Sequence, residues 1–379
     1  MRDEGVRIHA LYRDVRPGAR IRDPQAWEEF ELKRDPFEPP DGAPDLVIVA
    51  TPDTAHAGVL RAAAGEGAVV IVEKPFTVTA DEAARTRDLP GLVLGVDHFP
   101  AYIAEAAGHA ERIWDHLGGA VESVRFVLLQ RTPVEPDRLA SLSTGLTFDM
   151  LPHFLALLVS LGLTGPVKDS VLLGAGRHVP LTAAGPGDGP RHPDGSARRT
   201  RRGDPEPPAY RAETWSETGF TLAGTSDRPA VLCTGLVGKG FPVDARFLEL
   251  TAPSGAAVRL DLGSPSWQHP GYPGGAVALL GPPRPHDRST VLLPDPALFT
   301  AVGPRLVTTR PYDAVVAQLA GHPATPRAAS CLFSVEECEW MMSVLEPLGT
   351  AARQLAAGAS RTDHSLGGYP VRDDGRVWC

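Results

Sequence analysis

The chain has 379 residues, 42% of them hydrophobic and 22% charged, with a formal net charge of −9 and a pI near 5.7. That length allows two domains with sizeable cores, and the acidic balance argues against a nucleic-acid partner, which needs a basic face. The four cysteines (Cys233, Cys331, Cys338 and Cys379) form no CxxC or Cys/His cluster, the N-terminus shows no signal peptide, and no apolar run is long enough to span a membrane; the expectation is a soluble, cytoplasmic chain with reduced thiols and no metal.

Residues 6–12 form a short apolar and β-branched run, and residues 46–50 (LVIVA) a buried-type strand. An Ala-rich helix over 55–64, a second buried strand over 68–72 (AVVIV), a helix over 80–87 and a strand over 92–96 (LVLGV) follow. Continuous apolar strands separated by short helices predict a Rossmann-like parallel sheet, an α/β domain over residues 1–120. From 121 the pattern changes. A strand over 124–129 and a strongly apolar helix over 147–161 precede a flexible loop near 183–209, whose arginines (Arg198, Arg199, Arg201 and Arg202) sit in a Pro/Gly-rich, solvated stretch. Strands over 214–222, 230–236, 246–251 and 257–262, a Pro/Gly-rich stretch over 263–296, and helices over 312–320 and 335–345 complete the chain. This reads as an α+β second domain over 121–379 with a largely antiparallel open sheet. Such a sheet exposes a face and edges that normally pair with another subunit.

In open parallel sheets, ligands bind beyond the carboxyl ends of the strands. Three strands of the first domain end in candidate groups: Thr51-Pro52-Asp53 with His56, Glu73-Lys74-Pro75, and Asp97-His98. Each has a plain alternative. Thr51-Pro52 can cap and start a helix, Glu73-Lys74 can be a solvated ion pair, and Asp97 can be a helix N-cap. The only lysines are Lys33, Lys74, Lys168 and Lys239 in a chain otherwise rich in Arg. This suggests that some of them stand where a compact ammonium is required. Asp149 and His153 lie four apart in an apolar helix and share a face; His153 can equally be a satisfied core histidine.

The stretches DLVIVATPDTAH, VVIVEKPFTVTADEA and GLTFDMLPHFLALL together resemble the Gfo/Idh/MocA-type oxidoreductase superfamily. The sequence leans toward its glucose-6-phosphate dehydrogenase-like relatives through EKPF, Asp97-His98-Phe99, ETWSETGFTL, VGKG and PYDAVVAQLAG with SVEECEWMMSVLEPL. The resemblance implies an NAD(P)-dependent enzyme moving a hydride to or from a secondary alcohol or hemiacetal of a sugar, sugar phosphate or cyclitol-like substrate. It makes His153 the general base, oriented by Asp97, with Lys74 and Asp149 beside it. It puts Lys74 between nicotinamide and sugar hydroxyls, with Pro75 setting the turn. His98, Tyr102 and Lys239 then line the substrate pocket, and Arg13, Asp14, Thr51, Pro52, His56, Glu73 and Pro75 the cofactor side.

Two departures matter. Tyr102 stands where the sugar-phosphate branch carries a phosphate-binding lysine, which favours an unphosphorylated or differently substituted substrate. The glycine-rich GxGxxG loop, expected roughly 20 to 25 residues before Arg13-Asp14, is not found. Either the true start lies upstream of Met1, or ordinary cofactor binding has been lost. The second case leaves a non-redox lyase or isomerase, or a sugar-binding or scaffold protein. Arg13 suits a 2′-phosphate and Asp14 a ribose, so the choice between NAD and NADP stays open.

Overall fold

The computed structural model describes residues 10–12, 31–33, 45–64, 68–100, 110–130, 144–176, 213–225, 228–241, 245–262, 277–280, 290–292, 312, 315, 319 and 331–358. Arg13, Asp14, Tyr102, the 183–209 loop, Cys379 and most of the predicted helix over 312–320 lie outside them.

The first domain carries β1 (Ala10–Tyr12) parallel to β2 (Glu31–Lys33), and separately β3 (Leu46–Val49), β4 (Val69–Glu73) and β5 (Leu92–Val96), also parallel. β-Branched runs such as VVIVE suit strands buried on both faces, and Val70, Ile71 and Val72 are fully buried. Helices α1 (His56–Ala63) and α2 (Ala80–Arg85) connect them. The start of α2 is set by Thr79, whose hydroxyl accepts the Glu82 N–H at 3.1 Å, while the Glu82 carboxylate accepts the N–H of Val78, the residue before the cap. In the doubly wound strand order 3-2-1-4-5-6 the first strand lies between the second and the fourth. If β1 and β2 are the second and third strands and β3 the fourth, that place has no paired strand among the described residues, and Ile48 on β3 is 41% exposed.

After α3 (Ala110–Leu117), the second domain is built on an eight-stranded sheet. Its strands are β6 (Ser123–Gln130), β7 (Val167–Gly176), β8 (Trp215–Leu222), β9 (Val231–Lys239), β10 (Ala245–Thr251), β11 (Ala257–Asp261), β12 (Val277–Leu280) and β13 (Thr290–Leu292). Their order is β13-β12-β11-β10-β6-β9-β8-β7, and only β6–β9 is a parallel pair. The sheet is therefore largely antiparallel, as expected.

One face of this sheet holds α4 (Leu146–Ser160), which is buried along nearly its whole length. Between sheet and helix the Phe126 and Phe154 rings stack with centroids 5.1 Å apart, and Phe220 meets Phe154 at a tilt, 6.0 Å away. Each such fully buried side chain stabilises the fold by roughly 1.5–3 kcal/mol. Against α4 and the sheet strand β7 runs α5 (Val335–Gly358). The two helices approach so closely at Gly349 that a Cβ there would lie 2.3 Å from the Phe148 ring.

Before α5 the chain returns to the first domain. The two-residue strand β14 (Leu332–Phe333) adds antiparallel to β5, and α5 then packs on α2 as well as α4. The long C-terminal helix thus sits against both halves, behind the strand ends where the candidate residues lie.

Candidate functional site

The carboxyl ends of β3, β4 and β5 face the N-terminal half of α4. Asp97, just past β5, is 3% exposed and has both carboxylate oxygens engaged. Oδ1 accepts the Phe99 N–H at 2.8 Å, and Oδ2 accepts His153 Nδ1–H at 2.7 Å. Its backbone N–H donates to the Cys331 carbonyl at 3.0 Å, so the returning C-terminal segment also fixes its position. One oxygen thus closes a local turn onto the Phe99 amide, and the other meets the histidine ring. Burial opposes the Asp97 charge, but the His153 ring, His98 and the Phe99 amide outweigh it and hold the carboxyl below its usual range.

His153 is 6% exposed, and its ring stacks on Phe99 with centroids 4.0 Å apart. With Nδ1 committed to Asp97, no hydrogen bond reaches Nε2 among the described residues. His98 meets the His153 ring edge-on at 5.3 Å. Burial pushes the His98 imidazole down to about 4, with Asp97 opposing and His153, Lys74 and Arg246 adding to the depression. Although part of its surface stays open, His98 is therefore a neutral hydrogen-bonding group at neutral pH, not a cation.

Lys74 and Asp149 form the second cluster. Lys74 Nζ donates to Asp149 Oδ1 at 2.6 Å and to the Asp149 carbonyl, and Lys239 Nζ, at the end of β9, donates to Oδ2 at 2.7 Å. Pro152 inside α4 lacks an N–H, which loosens the backbone ladder near this turn. Burial works against the Asp149 charge, but Lys74 and Lys239 hold the carboxyl far below its usual range. The Lys74 charge also acts on His98, so the two clusters are neighbours.

Glu73 and Lys74 are not an ion pair with one another. Glu73 Oε1 accepts the Tyr312 hydroxyl proton, while Lys74 turns to Asp149. Tyr312 went unmarked in the sequence because nothing local distinguishes it. Burial, with the Glu73 and Asp97 charges, pushes its hydroxyl pKa up, so it is a fixed donor. The Lys74–Pro75 peptide is cis. His56 is 1% exposed, and its ring nitrogens lie 2.8 Å from the Pro75 carbonyl and 2.9 Å from the Thr51 carbonyl. It sits between two strand-end turns with both ring nitrogens facing backbone carbonyls. Thr51 makes no capping bond, and its buried hydroxyl has no partner among the described residues. Beside it, Asp53 accepts a hydrogen bond from the Thr144 hydroxyl, linking this turn to the approach to α4.

The structure thus brings His153, Asp97, His98, Lys74, Asp149 and Lys239 together, with Thr51, Pro52, His56, Glu73 and Pro75 along the adjoining strand ends. An orphaned Thr51 hydroxyl and an ammonium at neighbouring strand ends fit the nicotinamide side of a dinucleotide; Arg13 and Asp14 lie outside the described residues. Among those residues no group of three or more His, Cys, Asp or Glu is placed to hold a metal ion, and no helix is long and apolar enough to cross a membrane.

Residues 18–89 match the family described as "Oxidoreductase family, NAD-binding Rossmann fold". No curated protein matches by sequence. Among solved structures, a 3-ketoreductase from Actinomadura kijaniata, in complex with TDP-benzene and NADP, aligns with a TM-score of 0.52 at 14% identity, covering 85% of this chain and 82% of that one. A biliverdin reductase from Synechocystis sp. PCC 6803, in complex with biliverdin and NADP+, aligns with a TM-score of 0.53 at 14% identity, covering 85% and 84%. The UDP-N-acetylglucosamine 3-dehydrogenase of Acidithiobacillus ferrooxidans aligns at 0.50 and 15% identity, covering 82% and 79%. Over residues 18–89 the chain therefore matches the NAD-binding Rossmann segment of the Gfo/Idh/MocA oxidoreductase family, and over most of its length it shares the fold of these oxidoreductases.

Proposed function

We propose that this protein is an NAD(P)-dependent oxidoreductase that moves a hydride to or from a secondary alcohol or hemiacetal carbon of a sugar, sugar phosphate or cyclitol-like substrate. The observation that carries the reading is the buried Asp97–His153 pair, 2.7 Å apart, with His153 Nε2 left open beside the Lys74–Asp149–Lys239 cluster.

A nicotinamide cofactor, when bound, supplies the hydride acceptor or donor. In the oxidising direction His153 Nε2 takes the hydroxyl proton as the hydride leaves the same carbon, and in the reducing direction it returns that proton. Asp97 fixes the ring with its N–H on Nδ1, so the lone pair is on Nε2, and stabilises the imidazolium that forms. Lys74 and Lys239 present N–H donors to substrate hydroxyls, while Asp149 holds both ammoniums in register. Neutral His98 offers one donor and one acceptor, which suits a hydroxyl better than a phosphate. With Tyr102 in place of a lysine, this favours an unphosphorylated substrate within the class and stands apart from glucose 6-phosphate. A second copy covering the open face of the larger sheet, where Val171, Leu173 and Leu232 are about half exposed, completes the proposal as a homodimer or homotetramer.

Isothermal titration with NAD and with NADP tests the redox reading, which expects saturable binding of one of them. Binding of neither, even with any residues upstream of Met1 restored, would favour a non-redox lyase or isomerase, or a sugar-binding or scaffold protein, on the same fold.

A further inference from the structure

Helix α4 carries Asp149 and His153, yet its own N-terminus has no side-chain cap. The residue in the capping position is Gly145, with φ 93° and ψ 173°, a conformation that Ser, Thr, Asp and Asn caps do not share. The first-turn amides of a helix need acceptors from elsewhere. Here one comes from Glu213, two residues before β8, which is wholly buried. Glu213 Oε1 accepts the Thr147 N–H at 2.8 Å, and the Thr147 hydroxyl donates to Ser216 Oγ at 2.9 Å, so this short stretch grips the first turn twice.

The space is made for it. A Cβ at Gly145 would lie 2.6 Å from Glu213 Oε2 and 2.8 Å from Oε1, so glycine is required there by volume as well as by backbone angle. The same stretch serves the other half of the cluster, because the Lys239 N–H donates to the Thr214 carbonyl at 3.0 Å. Asp149 and the lysine on its Oδ2 are thus referenced to adjacent residues, Glu213 and Thr214.

We propose that Glu213 is a positioning residue of the site: its carboxyl group holds the first turn of α4 where Asp149 falls between the two lysines and His153 falls against Asp97. This rests on α4 being the site helix. A buried carboxyl with an oxygen that has no partner among the described residues is a costly way to cap a helix. Burial pushes its pKa up, while the bonds from Thr147 and the Arg353 charge on α5 offset this in part. An acceptor oxygen at the length of the Glu213 side chain is what a smaller group at this position would not bring to the Thr147 N–H.

The test is nuclear magnetic resonance of the His153 Nδ1–H proton, whose downfield signal reports the bond to Asp97; Asp97→Asn identifies it. Glu213→Ala is expected to shift or abolish that signal, and Glu213→Gln, whose amide oxygen still accepts the Thr147 N–H, to retain it. Should the alanine variant not fold, Glu213→Asp withdraws the carboxyl by one methylene and is expected to shift the signal likewise. An unchanged signal in Glu213→Ala or Glu213→Asp, or equal loss in Glu213→Gln and Glu213→Ala, overturns the proposal. The readout needs neither cofactor nor substrate, so it stands or falls separately from the titrations that test the redox reading.

Discussion

Asp149→Asn keeps the side-chain shape and removes the one negative charge that Lys74 and Lys239 share. The ammonium nitrogens lie 2.6 and 2.7 Å from opposite oxygens of that carboxylate, so they sit roughly 5 Å apart, and at an effective dielectric of about 20 their repulsion is about 3 kcal/mol. Breaking a buried pair by removing one partner costs about 3–5 kcal/mol. The lower end applies because Lys74 keeps 22% of its side chain exposed. Urea unfolding at pH 7 is expected to show this loss, and Lys239→Met added to Asp149→Asn to recover at least half of it by removing the unmatched cation. A single variant within about 0.5 kcal/mol of the parent, below the size of most structural substitutions, would refute the keystone role of Asp149. So would further loss on adding Lys239→Met. The pH dependence has a definite sign. The folded pKa of Asp149 is depressed, so its contribution is complete above the unfolded value of about 4 and falls away as the pH drops toward the folded one. Asp149→Asn therefore flattens the acid limb of the stability curve.

His153→Ala is expected to lower kcat by about 10²–10⁴ with an unchanged circular dichroism spectrum; full turnover would sink the base assignment. Asp97→Asn should also lower kcat, because an amide NH2 facing His153 favours the wrong tautomer. Gly349→Ala forces a methyl against the Phe148 ring and should cost at least about 1–3 kcal/mol in thermal or urea unfolding, without altering cofactor affinity directly. Leu173→Glu with Leu232→Glu on the open sheet face is expected to yield monomers in light scattering coupled to size exclusion; an unchanged mass would place the interface elsewhere.

Much of this architecture is local and was legible in the chain. The run VVIVE specifies a buried parallel strand, because only a sheet covered on both faces accepts apolar residues at every position, whereas LVIV forms its parallel strand with Ile48 41% exposed. The spacing of Asp149 and His153 put both on one face of a helix whose apolar composition required burial. Local pattern could not say which partner each would take. Glu73 and Lys74 are adjacent, yet one meets Tyr312 and the other Asp149. β14, only two residues long, carries too little pattern to be seen as a strand at all.

The sequence by itself determined β3, β4, β5, β6 and β8 to β11, the site helix and the chemical types at three strand ends, since each follows from side-chain patterning over a few residues. Strands β2, β7, β12 and β13 carried no such pattern and were not foreseen. Only the tertiary structure decided the partners that neither pattern nor resemblance supplied: Asp149 with two lysines from different domains, His56 with two backbone carbonyls, and Glu213 beneath the helix. Those choices depend on which surfaces the two domains bring together. A buried polar group takes whichever partner packing places within reach, and no local rule encodes that distance.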